Sequence, residues 1–63
     1  MILPFTDSVA GTPIYLNPDY VVSVRPDPAN PDEVSIVKLR DGESIRVRGA
    51  HDDIAKKLMG VAA

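Results

Sequence analysis

The sequence contains no cysteine and no tryptophan, and it has only three aromatic residues and one histidine. Without cysteine, a disulfide framework and a thiolate-rich metal site are excluded. With so few aromatics, a core must be built mainly from valine, isoleucine and leucine. No apolar run approaches the roughly 20 residues of a membrane span, and no basic segment precedes an apolar one at the N-terminus. We therefore expect a cytoplasmic protein with no membrane span.

The length of 63 residues predicts a single domain over residues 1–63. A chain this short buries only roughly 60% of its unfolded surface, and its core rarely supplies more than about 3–5 kcal/mol, so that oligomerisation is a common remedy. The net charge of −2 argues against a generally basic nucleic-acid binder. The sign of the charge changes along the chain, however, because residues 1–33 are mostly acidic and residues 34–63 carry six of the seven basic residues.

The strongest local signal lies in residues 33–48, where two apolar-alternating runs flank Asp41-Gly42. This dipeptide indicates a β-hairpin, because glycine tolerates a positive φ and aspartate tolerates the left-handed region. Two registers are open. A two-residue turn pairs Leu39 with Ser44, whereas a three-residue turn with Gly42 as a bulge pairs Val37 with Ile45. We prefer the second, because it gathers the apolar residues on one face and sends the arginines of the second strand outward.

The remaining chain predicts four segments before the hairpin and one after it: an N-terminal arm or edge strand within residues 1–11, a strand over 12–16, a strand over 20–25, an exposed proline-rich loop over 26–32, and a helix over 50–59. Alternation along the 20–25 strand places Tyr20, Val22 and Val24 on one face and Val21 and Ser23 on the other. The helix has one apolar stripe at i, i+3, i+4 and i+7, formed by His51, Ile54, Ala55 and Leu58. The predicted fold class is α+β, with a small antiparallel sheet of three to four strands and one C-terminal helix.

Self-association is the second expectation. One helix covers one face of a sheet, yet Val34 and Ile36 add apolar residues to the opposite face of the strand that carries Val37 and Leu39. The arm also has no obvious place in a compact monomer. A homodimer through the sheet surface or its edge is therefore expected. The residues expected to take part are Ile2, Leu3, Phe5, Val34 and Ile36.

Basic residues of the hairpin form the other candidate site. Arg46 and Arg48 lie two apart on one strand and therefore side by side, and Lys38 or Arg40 can join them across the ladder. Such a patch suits phosphate or an acidic partner. The alternative is a solvated sheet face on which Glu43 balances the charge. No exposed aromatic interleaves with these residues, so the stacking part of RNA recognition is missing.

No pattern indicates catalysis. His51 has no metal-ligating partners at a suitable spacing, and the adjacent carboxylates of Asp52 and Asp53 do not converge on one substrate. No serine stands in a nucleophile context, and the glycines form no phosphate-binding loop. We therefore expect no enzymatic activity, no cofactor and no metal.

The order of turn motifs resembles that of the small FlbD-like flagellar and swarming-motility proteins. The motifs that carry the resemblance, over about residues 14–58, are Asn17-Pro18-Asp19-Tyr20-Val21 after a strand, Pro31-Asp32-Glu33-Val34 at a strand entry, and Asp41-Gly42 before the last strand and a short helix. The chain differs from that pattern in its N-terminal arm, its longer loop over residues 26–30 and its longer hairpin. The resemblance implies a non-enzymatic accessory protein that acts through contacts with other proteins, in connection with motility.

A weaker likeness is to the carbon storage regulator family of small RNA-binding dimers. Val47 followed by residues 51–54 looks like the end of that family's last strand and the start of its helix, although His51 stands where the family has an RNA-contacting arginine. We therefore expect a protein–protein interaction module with a regulatory or accessory role, with a protein partner that the sequence does not identify. The alternative is a dimeric RNA-binding regulator that uses the basic sheet face.

Overall fold

The structure is a computed structural model that describes residues 2–60. Its elements are β1 (Leu3–Thr6), β2 (Pro13–Leu16), β3 (Val21–Pro26), β4 (Val34–Leu39), β5 (Ser44–Arg48) and α1 (His51–Gly60). β1 and β2 form a two-stranded antiparallel sheet, and β3, β4 and β5 form a three-stranded antiparallel sheet in that order. The predicted α+β class is confirmed. Residues 2–60 contain five strands that divide between two sheets, whereas a single sheet of three to four strands was predicted.

The β4–β5 hairpin has the preferred register. Val37 pairs with Ile45, and the Leu39 N–H donates to the Glu43 carbonyl at 2.8 Å, so three residues form the turn. Gly42 has a positive φ of 91°, which glycine adopts without steric strain. The prediction of a three-residue turn with Gly42 at the special position is therefore confirmed.

β3 contains a β-bulge that the sequence pattern did not reveal. Val21 pairs with Leu39 and Ser23 pairs with Lys38, which leaves Val22 as an extra residue. Val21 and Val24 consequently both pack against the core, while Val22 is 60% exposed. The simple alternation predicted for this strand is wrong, because one inserted residue reverses the direction of the side chains that precede it.

The core lies between the inner face of the larger sheet, α1 and the β1–β2 hairpin. Its buried residues are Phe5, Leu16, Val37, Val47 and Ile54. The predicted helical stripe is confirmed in three of its four members, because Ile54 is buried and Ala55 and Leu58 are half-buried. His51 begins the helix and is exposed.

The N-terminal arm has a defined place in the monomer, and the expectation that it lacks one is wrong. It forms β1, and Phe5 is only 5% exposed. The Lys57 ammonium donates to the Pro4 carbonyl and lies 4.6 Å from the centroid of the Phe5 ring. A bridge between Asp7 and Val47 joins the end of β1 to β5. Pairing, a cation–π contact and burial therefore hold the arm against the rest of the chain.

The turn from β5 into α1 centres on Gly49, which has a φ of 127°. The Gly49 N–H donates to the Glu33 carbonyl at 2.6 Å, and its carbonyl accepts the hydroxyl of the fully buried Ser35 at 2.7 Å. A Cβ at this position would lie 3.1 Å from Cδ1 of the buried Ile54. The corner therefore favours glycine twice, through its positive φ and through the close approach of the Ile54 side chain.

We predict that Gly49→Ala destabilises the protein by about 1–3 kcal/mol, because alanine strains the positive φ and presses on Ile54. Gly42→Ala is the matched control, since it has a positive φ of 91° but no atom within 4 Å of the added Cβ. Chemical denaturation of both variants measures the difference. Equal losses in the free energy of unfolding would show that the contact with Ile54 carries no cost.

Candidate interaction surfaces

The outer face, defined as the surface of β3, β4 and β5 that points away from α1, is rich in basic side chains. Its cross-strand neighbours are Val34 with Arg48, Ile36 with Arg25 and Arg46, and Lys38 with Ser23 and Ser44. Side chains that pair across a ladder share a face, so the basic residues on this face are Arg25, Lys38, Arg46 and Arg48. All four are exposed.

The structure therefore brings three of the four predicted basic residues together on one sheet face. The fourth, Arg40, follows the end of β4 in the hairpin turn, and its N–H donates to the Tyr20 carbonyl. Arg25 was not predicted as part of the patch. Because the bulge at Val22 shifts the register of β3 against β4, the pairing that brings Arg25 beside Ile36 could not be predicted from the hairpin alone.

One carboxylate lies at the border of the outer face. Asp27 is only 6% exposed, although it belongs to the proline-rich loop that was predicted to be exposed. Its Oδ1 accepts the Ala29 N–H at 2.9 Å, and its Oδ2 lies 3.6 Å from the Nε of Arg46. Its own N–H donates to the Val34 carbonyl and continues the β3–β4 ladder by one residue. Asp27 therefore closes the start of the loop and holds one arginine of the face.

An apolar groove lies on the other side of β3, between this strand and α1. It encloses about 590 Å³ and is lined by Pro18, Asp19, Val21, Val22, Ser23, Val24, Ala55, Leu58 and Met59. Val22 and Met59 are 60% and 64% exposed, which is high for large apolar side chains. β3 is also an edge strand of its sheet. The groove therefore combines an open strand edge with exposed apolar surface.

The residues expected at a self-association surface lie in different environments. Phe5 belongs to the core, and Leu3 is half-buried against it. Because both side chains pack against the core of the monomer, they offer little surface for contact with a second copy. Val34 and Ile36 are half-buried on the outer face, as their alternation predicted, and Ile2 is 57% exposed. The exposed apolar residues beside the open edge of β3 were not predicted, because the bulge turns Val22 outward.

Within residues 2–60, no group of three or more histidine, cysteine or acidic side chains is arranged to hold a metal ion. In the same range, no helix has both the length and the apolar character needed to cross a membrane. No protein-family model, no curated protein and no solved structure matches the chain. Inferences about function therefore depend on the two surfaces described above.

For the Asp27–Arg46 pair we predict a coupling free energy below about 1 kcal/mol that falls as salt rises, because the arginine side chain is 61% exposed. Asp27→Ala alone should cost about 1–3 kcal/mol, because the Ala29 N–H also loses its acceptor. A double-mutant cycle with Arg46→Gln, measured by denaturation at two salt concentrations, separates the two effects. A large coupling that is independent of salt would contradict a weak, solvent-screened pair.

Proposed function

We propose that the chain is a non-enzymatic protein–protein interaction module of the cytoplasm with a regulatory or accessory role, and that it acts as a homodimer. The observation that carries the proposal is the groove between β3 and α1. It exposes Val22 and Met59 beside an open strand edge, and apolar surface in such a position is typical of protein contact sites. Burying it would also add stability that a domain of this size otherwise lacks.

A second copy of the chain is the occupant that the charges favour. Asp19 lies two residues before β3 and lines the groove, and Arg25 lies near the other end of this strand, on the outer face. If two copies approach through this edge about a two-fold axis, their β3 strands run in opposite directions. The Asp19 end of one copy then faces the Arg25 end of the other, twice over. The edge is thus self-complementary in charge, as an isologous interface requires.

Contact at this edge is proposed to rest more on side chains than on a continued sheet. Pro26 has no N–H to donate, and the bulge at Val22 interrupts a regular ladder, so few backbone groups of β3 are placed to pair. A standard interface covers roughly 800 Å² per partner, which is about a fifth of the 4199 Å² surface of the protein. The interface would therefore extend beyond the groove, to neighbouring exposed residues such as Tyr20, which is 44% exposed.

The resemblance to FlbD-like proteins supports the accessory role. One of its three motifs is the Asn17–Val21 turn, and in the structure Asn17 caps the short 3₁₀ helix Pro18–Tyr20 by accepting the Asp19 N–H at 3.0 Å. The same turn forms one end of the groove through Pro18 and Asp19. We propose a role connected with motility on this resemblance alone.

Light scattering after size exclusion at about 10 and 100 μM, concentrations chosen to bracket a weak dimer, tests the proposal. We expect the wild-type mass to rise toward that of a dimer at the higher concentration. The double substitution Val22→Lys and Met59→Lys should give a monomer, because it places two cations per copy in a dehydrated contact. Val9→Lys is the matched control, because Val9 is 84% exposed in the β1–β2 turn and does not line the groove.

A charge exchange tests the orientation of the two copies. Asp19→Arg alone should weaken the dimer, and adding Arg25→Asp should restore it, because the attraction is then re-formed with the signs reversed. A monomer mass for the wild type at 100 μM would overturn the proposal. Equal loss of the dimer in the Val9→Lys control would overturn the assignment of the groove.

A further inference from the structure

We infer that the outer face is a second binding site, which takes the phosphate backbone of a single-stranded nucleic acid without reading its bases. This inference does not depend on the groove, and only one of its four cations, Arg25, belongs to the proposed dimer contact. It rests on the chemistry of the nine outward positions of β3, β4, β5 and the first residue after β3. These are Ser23, Arg25, Asp27, Val34, Ile36, Lys38, Ser44, Arg46 and Arg48.

The charge on this face is opposite to that of the whole chain. Four basic side chains lie on it, while the chain as a whole has a net charge of −2. Its one carboxylate, Asp27, is 6% exposed and is already engaged by the Ala29 N–H and by Arg46. The groups left to solvent are therefore cationic, hydroxylic or apolar. Such a segregation attracts a polyanion even though the net charge of the chain does not.

The dimensions of the face suit a ligand with closely spaced charges. From Lys38 to Arg48 the ladder spans four residues, or about 13 Å, and three strands span about 10 Å in the other direction. Same-side residues of one strand, such as Arg46 and Arg48, are about 6.8 Å apart. The four cations therefore form an array in which each can contact a different phosphate of a strand that crosses the face.

The side chains on this face also suit phosphate. Arginine presents a planar fork of donors to phosphate oxygens, and lysine binds them as a point charge. Lys38 lies in a shallow depression with Ser23 and Ser44, which adds two hydroxyl donors beside the ammonium. Val34 and Ile36 are half-buried between longer side chains, so the face lacks the protruding apolar residues that would insert into a lipid surface.

The absence of aromatic side chains from these nine positions defines the mode of binding. Base stacking is worth about 1–3 kcal/mol per base in single-strand binders, and this face has no ring to provide it. Affinity must then come from phosphate contacts, so it should be weak, independent of sequence and steeply dependent on salt.

Fluorescence anisotropy with a labelled single-stranded DNA of about 20 nucleotides, in mixed and in homopolymeric sequence, tests the inference. We expect the two sequences to bind alike, and the logarithm of the binding constant to fall against the logarithm of salt with a slope of about 3, as four phosphate contacts require. Lys38→Gln and Arg48→Gln should each lower this slope by about 0.7. Arg46 is left unchanged, because its loss would leave the buried Asp27 without its cation.

Lys56→Gln is the matched control, because it removes one exposed positive charge from α1 and none from the outer face. Lys56→Gln should leave the slope unchanged. The groove variant Val22→Lys/Met59→Lys should also leave it unchanged, after the contribution of its two added lysines to the slope is subtracted. No anisotropy change at about 100 μM protein in low salt would overturn the inference. So would an equal effect of Lys56→Gln, or binding of poly-glutamate or of phosphatidylglycerol vesicles in place of the oligonucleotide.

Discussion

The sharp turn at Gly49 is the constraint on which the arrangement of this chain depends. It redirects the backbone from β5 into α1 within two residues, and it lets Ile54 reach the valines of the sheet. The Gly49 N–H donates to the carbonyl of Glu33 in the loop before β4, and the Gly49 carbonyl accepts the buried hydroxyl of Ser35 in β4. A buried backbone group without a partner costs free energy comparable to a lost hydrogen bond. A serine in the middle of an apolar strand is therefore explained by the corner that it supports.

Because the helix covers one face of the larger sheet, the chain can use the other face for charge. Ser35, Val37 and Val47 point inward and are fully buried, whereas Ile36, Arg46 and Arg48 alternate with them and point outward. The bulge in β3 adds a different kind of surface, since it exposes Val22 next to α1 instead of placing it in a face of the sheet. Two chemically distinct surfaces, one basic and one apolar, thus lie on either side of the same edge strand.

Features of the fold that depend on residues close together in the sequence could be predicted. Features that depend on residues far apart in the sequence could not. The β4–β5 register follows from Asp41-Gly42 and from the alternation around it, and the stripe of α1 follows from a spacing of seven residues, so both were predicted. The Asp7–Val47 bridge and the contact of Asp27 with Arg46 depend on segments that are distant in sequence and meet only in the folded chain. The outer face was therefore predicted through its hairpin residues, Lys38, Arg46 and Arg48, and Arg25 was missed. The groove was missed altogether, because Val22 has no local feature that distinguishes a bulge from a regular strand.

Arg46 connects parts of the chain that share no ladder with one another. Its carbonyl accepts the Ser8 N–H at 3.1 Å from the β1–β2 turn, and its side chain reaches Asp27 at the start of the proline-rich loop. The smaller sheet and the loop are thus both attached to a single residue of β5, which is an edge strand of the larger sheet. Local opening of β5 would release both attachments at once. In native-state hydrogen exchange, the amides of Ser8 and Val47 would then exchange together.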